Sequence, residues 1–378
     1  MRSLKRFKLI LILSFVCVLF GMCFFLRRNK IEIEVIQVPL KDYYPTSPTA
    51  RCIWDMEIFE NKLYIGCGDY DNNTGPTPLL CSDLNTLDDW ECERFFNEEQ
   101  IGRLLRIDEK LIIPGFDPVG SSNCAFYQCT NGMWETSSVL PDGLHCFDVI
   151  KFDSKLFAGV GAPKGSSSIV CSEDNISYKG IPIYKNGNEI HTNDEQYIRT
   201  YNFYCLNDVL FAEIRIGNLQ ENTFRSEVYK YQDESFVYCG DLTEKLSTGL
   251  LCKNLPPIRC EATLNNTVFL TTGFLYVTKD MQNFTQISFP KSALVYDIYQ
   301  YEDKLYFLTA TTTDQGYKVA VYSTTSENGN DFRKEISVDS SSQPTSFVVN
   351  NKNIFIAIGE LEDSSTAHNG TIIKMRRK

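Results

Sequence analysis

The sequence is poor in the residues and short motifs on which most catalytic chemistry is built. Histidine occurs three times in 378 residues. No His-Glu-x-x-His stretch and no Cys/His set with zinc spacing is present. There is no Gly-x-Ser-x-Gly elbow to expose a serine nucleophile and no Gly-rich phosphate loop. Positive charge is scarce over most of the chain. Of 37 basic residues, seven fall in the first 30 positions, which hold no acidic residue; the remainder carries 30 basic against 48 acidic groups, a net charge of −18. An acidic body of this kind repels nucleic acid and anionic headgroups, so a nucleic-acid partner is not expected. The basic end Lys374-Met375-Arg376-Arg377-Lys378 reads as a solvated terminus.

Long apolar runs are confined to one place. Arg2, Lys5, Arg6 and Lys8 precede an unbroken run from Leu9 to Leu26, which Arg27, Arg28 and Lys30 follow. Its 18 residues suit a short membrane-spanning helix. A cleaved signal peptide is the rival reading, but Phe20-Gly21-Met22-Cys23-Phe24-Phe25-Leu26 offers no small-x-small cleavage site. The expected organisation is a cytoplasmic tip and signal-anchor over residues 1–30, with an extracytoplasmic domain over 31–378. Twelve cysteines lie beyond the run, an even number that suits disulfides in an oxidising compartment. Cys52 with Cys67, Cys124 with Cys129 and Cys252 with Cys260 are close enough in sequence to pair; buried thiols packing as small apolar groups are the alternative. Sequons occur at Asn72, Asn175, Asn265, Asn283 and Asn369.

What the chain has in quantity is a repeat. A polar turn followed by an apolar pair recurs seven times, as in Glu60-Asn61-Lys62-Leu63-Tyr64-Ile65 and Asp153-Ser154-Lys155-Leu156-Phe157-Ala158. The first apolar residues are 63, 111, 156, 210, 268, 305 and 354, giving steps of 48, 45, 54, 58, 37 and 49. That period is the length of a four-stranded propeller blade. The turns supply the Asp, Asn and Glu that a hairpin needs, and the strand after each turn is apolar enough to be buried on both faces. A later aromatic closes most units: Trp90, Trp134, Tyr178, Phe236, Phe284 and Phe332, expected to pack between blades. The fold class is therefore all-β, a seven-bladed β-propeller of four-stranded blades preceded by one transmembrane helix. The last unit offers only three strands, 345–349, 354–359 and 371–374, so the largely alternating segment Ile31–Val38 is expected to supply the fourth and close the ring.

The join Leu140-Pro141-Asp142-Gly143-Leu144-His145, running into Lys155-Leu156-Phe157-Ala158-Gly159-Val160-Gly161, resembles the kelch type of propeller, although the double Gly of that family is replaced by Gly-x-Gly or less. Ser172-Glu173-Asp174-Asn175-Ile176-Ser177-Tyr178 and Thr278-Lys279-Asp280-Met281-Gln282-Asn283-Phe284 resemble the Asp-box turns of sialidase-type propellers. The Arg-Ile-Pro pattern of sialidases is absent. The resemblance extends over about residues 51–378 at the level of blade pattern.

In such a fold the loops after the second strand and the joins between blades share one face. The long polar loops Gly68–Pro76 and Pro114–Pro118, with the join around His145, lie there. Asp69, Asp71, Asp117, His145 and Asp148 are expected to converge on that mouth, together with Arg103, Arg199 and Arg259. Asp69, Asp71 and Asn73 alternate as calcium ligands do, without the late bidentate acid of an EF-hand. The arginines are candidates either for an anion site or for channel ion pairs with Asp55, Asp148 and Asp297. The expected function is a membrane-anchored module that binds a carbohydrate or protein ligand. A carbohydrate-active hydrolase or lyase is the alternative, with Asp69 and Asp117 as a possible carboxylate pair. A structural part of an envelope assembly is the third reading.

Overall fold

The computed structural model describes residues 32–120, 123–218, 220–221, 223–247, 260–289, 292–329, 331–360 and 366–377. The expected membrane helix falls outside these residues; within them no helix is long and apolar enough to cross a membrane. The chain enters through β1 (Ile33–Gln37) and a one-turn helix, α1 (Leu40–Tyr43). Two antiparallel meanders follow: β2 (Asp55–Phe59), β3 (Lys62–Gly66), β4 (Thr77–Asp83) and β5 (Glu91–Phe96), then β6 (Leu105–Ile107), β7 (Lys110–Pro114), β8 (Asn123–Thr130) and β9 (Met133–Pro141). Next come β10 (His145–Phe152), β11 (Lys155–Gly161), β12 (Ile169–Ser172) and β13 (Lys179–Gly180), then a small hairpin, β14 (Ile183–Lys185) and β15 (Asn188–Glu189). The long strands β16 (Gln196–Leu206), β17 (Val209–Asn218), β18 (Thr223–Gln232) and β19 (Ser235–Asp241) follow. Two further meanders are β20 (Cys260–Leu264), β21 (Thr267–Thr271), β22 (Leu275–Thr278), β23 (Thr285–Ile287), and β24 (Leu294–Tyr301), β25 (Lys304–Thr313), β26 (Gly316–Thr324), β27 (Arg333–Ser340). The chain ends with β28 (Gln343–Val349), β29 (Asn353–Gly359) and β30 (Thr371–Arg376).

Every one of the seven sequence repeats folds as a hairpin, β2–β3, β6–β7, β10–β11, β16–β17, β20–β21, β24–β25 and β28–β29. The turn chemistry explains this. Glu60-Asn61, Asp153-Ser154 and Asn207-Asp208 all adopt positive φ at both positions, the geometry of a two-residue turn whose twist matches the strands. The expectation of seven separate four-stranded blades is corrected. Five sheets are four-stranded and stand apart, whereas β10–β19 form one sheet of ten strands. The fusion has two causes. Gly161 on β11 pairs with Arg199 on β16. The β14–β15 hairpin then runs along the edge of β19, where Ile183 pairs in parallel with Phe236. The long steps of the repeat before and after residue 210 accompany these additions.

In the sheet that holds both ends of the chain, the order is β1-β30-β29-β28, with Ile33 opposite Met375 and Gln37 opposite Thr371. Both faces of β1 carry apolar residues: Ile33 and Val35 are exposed on one, while Ile36 and Val38 are buried on the other. Glu34 pairs with Lys374 at 2.8 Å. Among the described residues lie seven apolar clusters, six between neighbouring sheets and one, around Phe157 and Phe203, within the ten-stranded sheet. The six closing aromatics fall in different clusters: Trp90, Trp134, Tyr178, Phe284 and Phe332 are each wedged between two sheets, and Phe236 between the two halves of the ten-stranded sheet. Both Asp-box-like turns are built alike: Asp174 accepts the N–H groups of Ile176 and Ser177, and Asp280 those of Gln282 and Asn283. Hydrogen bonds from Ser177 and Ile176 hold the Asp174 carboxyl down at about 2.

The cysteines follow the thiol alternative. Cys67 donates to the Pro78 carbonyl and is not bonded to Cys52. Cys124 and Cys129 pack on opposite faces of β8, in two different clusters, so the expected pairing is not formed. Cys252 lies outside the described residues.

Candidate functional site

An antiparallel meander puts the loop after its second strand and the join to the next sheet on one face. Two of the expected site residues, Asp148 and Arg103, turn out to hold the framework of that face together. Asp148 is buried; its Oδ1 accepts the Val149 N–H at 2.9 Å, and its Oδ2 accepts the Phe203 N–H of β16 at 2.8 Å. Arg103 Nη1 lies 3.2 Å from Asp148 and donates to Asn202 at 3.0 Å. Asp55 and Asp297 repeat the device. Asp55 accepts the N–H of Met56 at 2.8 Å and of Leu104 at 2.7 Å, and Asp297 those of Ile298 at 2.9 Å and Phe347 at 3.1 Å. Each carboxylate caps its own strand and grips the next repeat. Arg103 and Asp148 thus form the channel ion pair weighed in the sequence.

Asp69 is buried and its carboxylate is already engaged. It accepts from Asn72 at 2.7 Å and from the Thr49 hydroxyl, while its own N–H donates to Glu99 O at 3.0 Å. Asp71 is exposed on the short turn Tyr70–Asn72, and the Asn73 amide, with its nitrogen turned toward the Glu99 carboxylate, donates to it at 3.0 Å. The loop organises itself through these bonds. No group of three or more His, Cys, Asp or Glu side chains is placed to hold a metal ion among the described residues. Arg259 lies outside them.

Asp117, His145 and Arg199 do come together. His145 Nδ1 lies 2.5 Å from the Phe116 carbonyl and 3.8 Å from Asp117 Oδ1. A carbonyl only accepts, so Nδ1 carries the proton and Nε2 presents its lone pair. Burial and the Arg199 charge push the His145 ring down to about 4, so it is neutral at pH 7. Burial raises Asp117, against the pull of Arg199. Beneath it, buried Glu98 accepts Tyr127 OH at 2.8 Å and the Asp117 N–H at 3.0 Å; burial lifts its carboxyl to about 8.

Around this trio runs an arc of aromatic rings that the sequence reading missed. Tyr70 lies 5.2 Å from Phe116, Phe116 lies 5.6 Å from Phe147, and Phe147 stacks on Tyr201 at 4.2 Å. His145 sits 5.1 Å from Phe147. Beyond Tyr201 the arc continues through Arg215, whose guanidinium lies 4.2 Å from the Tyr201 ring and 4.7 Å from Phe224. Arg199 lies over Tyr197 at 4.8 Å. Tyr197 in turn packs over Gly217, where a Cβ would come within 1.9 Å of the ring and push it aside. The signal was present in Gln196-Tyr197-Ile198-Arg199-Thr200-Tyr201, where aromatic and basic residues alternate at period two. A polar cleft of about 530 Å³ on the opposite face, walled by hairpin-turn residues such as Asn61, Asn85 and Asn350 with Glu34 and Lys374, contains no aromatic side chain.

No protein-family model matches the chain. No curated protein matches it by sequence. Among solved structures it is similar to a polysaccharide lyase, the PL25 ulvan lyase, at 11% identity over 85% of this chain and 90% of that one, with a TM-score of 0.45. It is similar to Saccharomyces cerevisiae Sqt1 at 9% identity over 86% and 96%, with a TM-score of 0.43. It is also similar to the β-propeller domain of the Trilobed protease from Pyrococcus furiosus, at 8% identity over 81% and 89%, with a TM-score of 0.44. These likenesses identify neither a kelch nor an Asp-box family.

Proposed function

We propose that the protein binds a carbohydrate on the loop-rich face, across the arc from Tyr70 to Tyr201. The observation that carries this reading is the combination of Tyr70, Phe116, Phe147 and Tyr201 in ring-to-ring contact with the polar edge His145, Asp117 and Arg199. Phe147 and Tyr201 are buried and back the arc, so the half-buried Tyr70 and Phe116 offer the aromatic faces that take up the apolar face of a pyranose ring, and a few fixed polar groups at the edge read its hydroxyls. On sequence grounds, residues 1–30 anchor the protein at a membrane with the propeller extracytoplasmic. The test is retention of the purified full chain on a broad glycan array at neutral pH, with and without calcium. Selective retention on one glycan class supports the reading. A blank array in both conditions contradicts it.

One observation favours a second reading, cleavage of the bound chain. Neutral His145 holds its proton on Nδ1 and offers Nε2 as a base, with no hydrogen-bond partner for Nε2 among the described residues. In a uronate polymer such a base takes the proton alpha to the carboxylate. The C–H electron pair then becomes a carbon–carbon double bond, and the glycosidic oxygen leaves with a proton from solvent. Ultraviolet absorbance from unsaturated product, abolished in His145→Ala, separates cleavage from binding. The hydrolase pair Asp69 and Asp117 has less support, because the Asp69 carboxylate is occupied by Asn72 and Thr49.

A further inference from the structure

The two arginines of the extended sheet have no structural reason to be where they are. Arg199 on β16 and Arg215 on β17 are direct partners in the register, so their side chains leave the same face of the hairpin side by side. Like charges directly opposite on neighbouring strands destabilise a sheet. Only the ring faces beneath them and the more distant Asp117 charge offset it: neither guanidinium has a hydrogen-bond or ion-pair partner among the described residues. Arg215 Nε and Nη2 are buried with no acceptor among the described residues. Buried donors are nearly always satisfied, and an orphaned pair on a charged group is costly. The surroundings hold the heads in place instead. Tyr201 and Phe224 flank Arg215, and Tyr197 supports Arg199. Further along the arc, by Phe116, lies another orphan: Gln100 is buried, its Oε1 has no partner among the described residues, and its amide borders Gly102.

We propose that Arg199 and Arg215 form a subsite for an oxyanion carried by the ligand, the carboxylate of a uronic acid or the sulfate ester of a sulfated sugar. The assignment rests on the carbohydrate reading of the adjoining arc and narrows it to acidic glycans. Guanidinium groups match both oxyanions because their forked donors meet two oxygens at once. The overall charge sharpens the inference. A chain of net charge −11 repels polyanions at long range, so retention of one reports a local site and not general attraction.

Two experiments on the full chain separate this proposal from the one it rests on. The first is thermal melting with sodium glucuronate against glucose, and with sodium sulfate against sodium chloride at equal ionic strength. Ligand at tenfold its Kd should raise the melting temperature of the wild type by about 2 °C, and the double variant R199Q/R215Q should lose the shift. A shift with glucuronate alone assigns a carboxylate, and one with sulfate alone a sulfate ester. No shift with either, or the same shift in the variant, overturns the proposal. The second is the glycan array. A blank array together with an oxyanion shift would sink the carbohydrate reading and leave the oxyanion subsite standing. The ligand-free melting temperature guards against misfolding: Arg199→Gln should leave it unchanged or raise it, because a repulsion is removed. A clear fall would make the pair structural and overturn the proposal.

Discussion

Deleting residues 32–37 removes β1 and with it the fourth strand of the closing sheet. Five residue pairs with β30 are lost, from Ile33–Met375 to Gln37–Thr371. So are the bonds of Gln37 to Thr371 and Gly370 and the Glu34–Lys374 pair. Burial of Ile36 contributes about 2 kcal/mol. Some four ladder hydrogen bonds contribute about 1 kcal/mol each. The total of about 6 kcal/mol is a large part of the 5–15 kcal/mol by which a domain is stable. For a domain of this size the unfolding entropy corresponds to about 0.7 kcal/mol per degree, so melting should fall by about 8 °C. The deletion also bares the edge of β30, so the unfolded protein should aggregate more readily on heating. Circular dichroism melting, with light scattering in parallel, measures both. Glu34→Ala serves as a control for the exposed ion pair alone and should move melting by less than about 1.5 °C. A deletion that melts within that margin of the wild type would refute the account of ring closure.

Asp148→Ala should cost about 3–5 kcal/mol, since it strands the Phe203 N–H and leaves Arg103 without its carboxylate; urea denaturation that shows a loss under about 1 kcal/mol would contradict the clamp. Burial raises Asp55 and Glu98 to about 8 and Glu57 to about 7, so each holds a proton in the fold that the unfolded chain gives up near its ordinary value. Their contribution to stability is whole below about pH 4 and is lost as pH rises through about 7 to 8. His145, lowered to about 4, acts in the opposite sense, but its contribution is complete by about pH 6.5. The melting temperature should therefore decline between about pH 6.5 and 8.5, and Glu98→Gln should flatten part of that slope. A flat or rising wild-type profile would contradict it.

The repeat was legible because hairpin turns and buried second strands are local features, written in consecutive residues. Glu60-Asn61 and Asp153-Ser154 specify their turns without help from the rest of the chain. The fusion of β10–β19 was not legible, because it depends on Gly161 meeting Arg199 and on Ile183 reaching Phe236 across the fold. The site divided in the same way. Loop position was enough to bring Asp117, His145 and Arg199 to one place. It could not tell them from Asp69 and Asp148, whose carboxylates serve backbone and loop donors seen only in three dimensions. The aromatic arc draws single rings from four separate segments, Tyr70, Phe116, Phe147 and Tyr201, and no one of these stands out among 20 tyrosines and 25 phenylalanines.

The most direct test of the binding account is the affinity of the full chain for the glycan it retains, compared with that of Phe116→Ala. Phe116 is half-buried at the centre of the arc, between Tyr70 and Phe147. Loss of one stacking ring should weaken binding about tenfold while leaving melting close to the wild type. Equal affinity in the variant would place the ligand elsewhere and contradict the site described.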